Sequence, residues 1–202
     1  MKIVHVETVL NSGSYSKSKH WRSTRVSLRK AVKKCDWPAG SGKFTIYPQS
    51  GKKRGEGNGV KPIKKEFIEE LKRGGWTIEG RAKNGLGQSL GDFDAVLIGP
   101  EGPVVAEWET GNISSSHRSM NKLTMLVSDG IIAAGTLIVP SRKLYEYLTD
   151  RIGNYQELKP YLKLWKSVPC KKGILEIVVI EQDAESWDVP RIPKGTDGRA
   201  NG

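Results

Sequence analysis

The stretch Ile131–Val139 is apolar along almost its whole length. A strand with no polar side must be buried on both faces, so it belongs at the centre of a sheet with a covering layer on each side. The segments around it supply the layers. Phe93–Ile98 and Val104–Glu109 are apolar runs joined by Gly-Pro-Glu-Gly-Pro, which predicts a hairpin. Ser114–Ser128 places Met120, Leu123, Leu126 and Val127 on one stripe and predicts a helix leading into the central strand. Gly173–Glu181 returns to strand. Upstream, Pro62 opens a helix whose Ile63, Phe67 and Leu71 recur at i, i+4 and i+8, and Gly74-Gly75 stops it.

The remaining elements follow from the same patterns. Ile3–Leu10 reads as a strand, Trp21–Lys34 as a basic helix, and Phe44–Tyr47 and Trp76–Glu79 as short strands. Ser141 caps a helix expected through Leu148, and Asn154 opens another with a kink expected at Pro160. Pro48–Gly59, rich in Gly, Lys and Ser, is expected to be an exposed basic loop, and the chain end an extended, mobile arm. The fold class expected is α/β, a central mixed β-sheet flanked by helices on both faces. A single domain spans residues 1–202, with 183–202 as the C-terminal arm.

Thirty-three Lys and Arg against twenty-two Asp and Glu leave a net charge of +11, an excess that draws a polyanion, nucleic acid first, through counterion release. Charge alone leaves simple solubility open as well. Cys35 and Cys170 stand alone, with no CxxC and no histidine at zinc-ligand spacing, so a reducing cytoplasm is expected and a zinc site is not. The longest apolar run, Gly130–Pro140, is far short of the roughly 20 residues a spanning helix needs, and the opening MKIVHVETVL lacks signal-peptide features, so no membrane role is expected.

The candidate chemistry lies on the hairpin. Alternate strand residues share a face, so Glu107 and Glu109 point one way and Trp108 the other. If the turn pairs the two strands, Asp94 lies near the end of the second and joins them. Three such anions repel one another and repel DNA phosphate. A divalent cation with a preference for hard oxygen ligands, Mg²⁺ above all, resolves that conflict and suits phosphodiester hydrolysis. On spacing alone a solvated strand edge is the simpler reading of these acids.

The run Glu107-Trp-Glu-Thr-Gly-Asn-Ile-Ser-Ser-Ser-His-Arg-Ser-Met-Asn-Lys122 closely resembles the active-site and recognition segment of the BamHI family of type II restriction endonucleases. Trp37-Pro-Ala, Asn58-Gly-Val-Lys-Pro-Ile-Lys64, Tyr147-Leu-Thr-Asp-Arg151, the segment Asn154–Tyr161 and Ile192-Pro-Lys-Gly-Thr-Asp-Gly198 are similar too, in the family's order, whereas the first 35 residues match poorly. The resemblance implies a restriction-endonuclease-like fold, with Asp94, Glu107 and Glu109 as catalytic carboxylates, Glu109 as general base, and Glu79 near a further acidic position. Asp94, Glu107 and Glu79 are then the metal ligands, for one or two Mg²⁺ per site. Asn112, Ser114, Arg118, Asp150 and Arg151 match base-reading positions, and Lys64, Lys194 and Gly195 match DNA-contacting ones. Without the family match, an N-cap role for Asn112 and Ser114 and a helix-end ion pair for Asp150-Arg151 fit as well. His117 lies within the run, but its helix position points to packing or a dimer contact.

The same resemblance implies a homodimer joined through the helices around Ser116–Ser128 and Asn154–Leu164, acting on double-stranded DNA. It implies the palindrome GGATCC, cut after the first G to leave 5′ GATC overhangs with 5′-phosphate and 3′-hydroxyl ends, and a cognate DNA methyltransferase as partner. A related GATC-containing site, or a DNA-binding regulator that breaks no bond, are the competing readings.

Overall fold

The structure is a computed structural model that describes residues 1–53, 55–83, 89–149 and 152–194. In chain order the elements are β1 (Lys2–Ser12), α1 (Lys19–Lys34), β2 (Thr45–Ile46), α2 (Lys61–Arg73), β3 (Thr77–Lys83), β4 (Ser89–Gly99), β5 (Gly102–Trp108) and α3 (Ile113–Ser128). There follow β6 (Ala134–Pro140), α4 (Arg142–Tyr145), α5 (Tyr155–Leu158), α6 (Leu162–Lys166), β7 (Gly173–Glu181) and β8 (Ala184–Glu185). A 3₁₀ turn at Lys159–Tyr161 separates α5 from α6, where Pro160 denies the helix a backbone donor.

Six strands form one mixed sheet in the order β1-β7-β6-β5-β4-β3. The inner pairs β5·β6 and β6·β7 are parallel, and the outer pairs β1·β7, β4·β5 and β3·β4 are antiparallel. Each parallel pair needs a crossover, supplied by α3 between β5 and β6 and by α4 to α6 between β6 and β7. β6 is buried at every position, as its composition demands. Alternation along the strands divides the core in two. Val105, Leu137, Val139, Leu175, Ile177 and Val179 face Met120, Leu123 and Leu126 of α3 and Leu158 and Trp165 beyond it. Val104, Ala106, Trp108, Ile138 and Val178 face Trp21 and Leu28 of α1 and Ile63, Phe67 and Leu71 of α2. Truncating one of these fully buried leucines, Leu123 for example, would cost about 2–5 kcal/mol.

Three expectations are corrected. The Pro48–Gly59 segment is exposed at Lys52 and Lys53, but Gly51, Gly57, Asn58 and Gly59 are buried. Asn58 is the reason: its Nδ2 donates to the carbonyls of Tyr47 and Tyr147, both at 2.8 Å, and its Oδ1 accepts from the Ile192 N–H at 3.1 Å. A buried amide with its bonds made fixes the three chain segments it touches. Gly59 lies so close to the backbone of Pro193 that a Cβ would meet the Pro193 carbonyl oxygen at 2.0 Å. The chain end is therefore extended but docked as far as Lys194. β8 pairs with β2 in parallel, Trp37 Nε1 donates to the Pro190 carbonyl at 2.6 Å, and Ile192 is buried. The helix opened by Ser141 also stops at Tyr145, because Leu148 and Thr149 leave it to bridge to Asn58.

Candidate active site

β4 and β5 run as an antiparallel ladder from Gly99↔Gly102 to Ala95↔Ala106, and there the regular pairing ends. β5 continues along β6, with Glu107 opposite Leu137, Trp108 opposite Ile138, and the Glu109 N–H bonded to the Ile138 carbonyl at 2.8 Å. Between β4 and β5 side chains take over. The Trp108 N–H donates to Asp94 Oδ2 at 2.7 Å, and the Asp94 N–H donates to Glu107 Oε2 at 3.2 Å. The two carboxylates are thus locked side by side where the strands part.

Each carboxylate spends one oxygen on backbone and offers the other to a lysine. Lys64, in the first turns of α2, donates to Asp94 Oδ1 at 2.6 Å. Lys122, on the sheet-facing side of α3, pairs with Glu107 Oε1. Glu107 is buried, and burial pushes its carboxyl above the ordinary range while the Lys122 charge pulls it back. Glu109 stands one pleat further on with its Oε1 accepting from the Ser119 hydroxyl at 2.6 Å. Burial raises its carboxyl too; the Ser119 hydrogen bond opposes this, the Asp94 charge adds to it, and the Lys64 and Arg118 charges oppose it. The group is a half-buried carboxylate with increased proton affinity, oriented by a hydroxyl, which suits a proton acceptor.

Among the described residues no three Asp, Glu, His or Cys side chains gather into a ready-made metal cage. Lys64 and Lys122 pair with Asp94 and Glu107 and offset their charge in this structure. The donors still suit a hard cation: carboxylate oxygens are what such an ion takes, and each acid already presents one to a separate ammonium, Asp94 Oδ1 to Lys64 and Glu107 Oε1 to Lys122. Glu79 lies between the paired positions Ile78↔Ala95 and Gly80↔Phe93, level with Asp94 on the neighbouring strand. It is exposed, with a left-handed φ of 56°, an arrangement that a non-glycine residue rarely adopts.

The segment expected to read bases follows directly on β5. Asn112 caps α3, its Oδ1 accepting from the Ser115 N–H at 3.0 Å, and Ser114 and Arg118 are exposed on the first turns. His117 packs edge-on against Tyr161, ring centroids 4.5 Å apart, and against Trp165, so it is a packing residue. Lys194 reaches the Glu56 carbonyl on the Asn58 loop. Asp150, Arg151 and Gly195 lie outside the described residues. Lys122 and Ser119, which touch Glu107 and Glu109, are not among the candidates marked in the sequence. They stand at i and i+3 on α3, on the face turned toward β5, and that spacing was the available signal.

The family model for the restriction endonuclease BamHI matches residues 1–199, so the poorly matching first 35 residues fall within the family unit. The type II restriction enzyme OkrAI of Oceanobacter kriegii is 42% identical over 200 residues, covering 99% of each chain. The type II restriction enzyme BamHI of Bacillus amyloliquefaciens is 45% identical over 94 residues, which is 46% of this chain and 41% of that protein. Among solved structures, the endonuclease BglII complexed with a DNA 16-mer superposes with a TM-score of 0.60 at 11% identity, covering 91% of this chain and 79% of that one, a likeness of fold. With a mixed sheet of the same kind and a family match along nearly its entire length, this chain belongs to the BamHI family of restriction endonucleases.

Proposed function

We propose that this type II restriction endonuclease hydrolyses double-stranded DNA at GGATCC, after the first G, in a Mg²⁺-dependent reaction carried out by a homodimer. The observation that carries the chemistry is the Ser119-oriented Glu109 carboxylate standing beside the interlocked pair Asp94–Glu107. Asp94 and Glu107, with Glu79 from the neighbouring strand, would hold the metal, which when bound polarises the phosphate and makes an attacking water more acidic. Glu109 accepts the proton of that water. The water oxygen joins phosphorus, the bond to the 3′ oxygen breaks, and that departing oxygen takes a proton from a solvent water, leaving 5′-phosphate and 3′-hydroxyl ends. Ser119 keeps Glu109 aimed, and Lys64, Lys194 and Gly195 meet the DNA backbone.

Specificity rests on Asn112, Ser114 and Arg118 at the start of α3 together with Asp150 and Arg151. An arginine pairs bidentately with guanine, asparagine with adenine, and aspartate accepts from the cytosine amino group. Support for the dimer comes from Met125 on α3 and Tyr161 and Leu164 near α6, which are large apolar side chains left exposed at 37%, 49% and 61%. Two copies related by a two-fold axis match a palindromic site. Among the described residues no helix is long and apolar enough to cross a membrane, and the reading places the enzyme in the cytoplasm beside a methyltransferase that protects the same site.

Digestion of a plasmid of known sequence in Mg²⁺, with sequencing of the fragment ends, tests this. Ends reading GATCC after cleavage at every GGATCC support it. Cleavage at other GATC-containing sequences would replace the specificity, and specific binding without any cleavage would favour a regulator.

A further inference from the structure

Lys122 is far more enclosed than a surface lysine: its side chain is 10% exposed, against 40% for Lys64. An ammonium so placed loses hydration, and the structure replaces it from three sides. Glu107 Oε1 supplies a full negative charge, the Asp92 carbonyl accepts at 2.8 Å, and the buried Phe93 ring lies under the ammonium at 4.3 Å. Asp92 and Phe93 immediately precede Asp94 on β4, whereas Glu107 is on β5. The ammonium therefore closes the gap between the two strands where their ladder ends. It also occupies the one Glu107 oxygen that the backbone leaves available, because Oε2 is taken by the Asp94 N–H.

We propose that Lys122 is the internal counter-cation of the active site: it holds Glu107 in the metal-free protein and gives it up to the divalent cation, thereby setting the affinity for metal. This rests on the reading of Asp94 and Glu107 as metal ligands. Like charges a few ångströms apart repel, so the ammonium and a divalent ion do not share Glu107 Oε1. When the ion is bound, Lys122 retains the Asp92 carbonyl and the Phe93 ring. Lys122 is in these terms a positioning residue, acting through Glu107. Without it, the metal-free site holds a buried carboxylate with no counter-charge, which costs stability until a cation arrives.

Calorimetric titration with Ca²⁺, and melting curves in chelator and in Ca²⁺, test this on the full chain with wild type, Lys122→Met and Lys122→Arg. Lys122→Met keeps the length and the contact with Phe93 but removes the charge. It is expected to melt lower in chelator, to bind Ca²⁺ about tenfold more tightly, and to show a larger Ca²⁺-induced rise in Tm than wild type. Lys122→Arg is expected to keep the weaker, wild-type affinity. Unchanged or weaker Ca²⁺ binding by Lys122→Met overturns the proposal while leaving the metal ligands intact, provided Asp94→Asn abolishes the binding. Absence of Ca²⁺ binding in both proteins overturns the metal reading itself. Acylation of the wild-type protein, read at Lys122 by mass spectrometry, needs no variant: Ca²⁺ should accelerate it several-fold, and an unchanged rate contradicts release of the ammonium.

Discussion

Asp94 and Glu107 exchange hydrogen bonds through their carboxylates: Asp94 Oδ2 accepts the N–H that follows Glu107, and Glu107 Oε2 accepts the N–H of Asp94. These bonds stand where ladder bonds would otherwise join β4 to β5. The acids are thereby part of the sheet's own hydrogen bonding, and their geometry is fixed before any DNA arrives.

That arrangement separates the chemical role of Asp94 from its structural one. Asp94→Asn retains an acceptor for the Trp108 N–H, and should stay within about 1 kcal/mol of wild-type stability, whereas Asp94→Ala should lose about 1–3 kcal/mol by leaving that N–H unpaired. Both should cut plasmid DNA about a thousandfold more slowly or worse, the several kcal/mol that a metal-held charge contributes to the transition state. Melting curves beside single-turnover cleavage decide it; an Asn variant that cuts normally removes Asp94 from the site.

Arg118 is exposed on the second turn of α3 and is assigned to base reading. Arg118→Ala should cost about 1–3 kcal/mol of binding to the cognate duplex while leaving affinity for unrelated DNA nearly the same. Competition binding in Ca²⁺ at fixed salt measures both. Equal losses for cognate and unrelated DNA would make Arg118 a backbone contact.

Far from the site, Glu7 gives a pH prediction. Burial alone would raise its carboxyl, but hydrogen bonds from Lys166, Tyr155 and His5 outweigh that and lower it from the ordinary 4.5 to about 2. A lowered carboxylate contributes stability that is fully present above about 4.5 and fades as pH falls through that value toward 2. Discounted for partial exposure, Glu7→Gln should cost about 1–2 kcal/mol at pH 7, a fall in Tm of about 3–6 °C. The gap between variant and wild type should close on acidification below 4.5. A gap independent of pH would show that the packing around Tyr155, and not the charge, is what the variant disturbs.

Leu164 is 61% exposed beside Tyr161 on the face assigned to the dimer. Leu164→Glu should place charges at the interface and convert the dimer to a folded monomer in sedimentation experiments, with slower two-strand cleavage. A variant that stays dimeric moves the interface elsewhere.

Much of the fold follows from periodicity. The apolar stretch at Ile131–Val139 required a central strand, and β6 is buried throughout. The two-residue period put Trp108 and the acids Glu107 and Glu109 on opposite faces, and Trp108 does pack against Phe67 of α2, ring centroids 4.8 Å apart. What escaped depends on contacts between distant segments. Residues 47, 58, 147 and 192 are distant in sequence and meet at the Asn58 side chain, so neither the buried loop nor the docked chain end is visible in local composition. Lys122 escaped for the same reason: its partner on β5 is fifteen residues earlier, and a lysine in the middle of a helix reads locally as solvated.

Glu109, oriented by Ser119, is assigned as the proton acceptor in DNA cleavage. Glu109→Ala and wild type should be compared on one duplex carrying GGATCC, with binding measured in Ca²⁺ and strand cleavage in Mg²⁺. The variant is expected to bind this duplex in preference to unrelated DNA, as wild type does, and to leave it uncut. Cleavage by Glu109→Ala at the wild-type rate would contradict it.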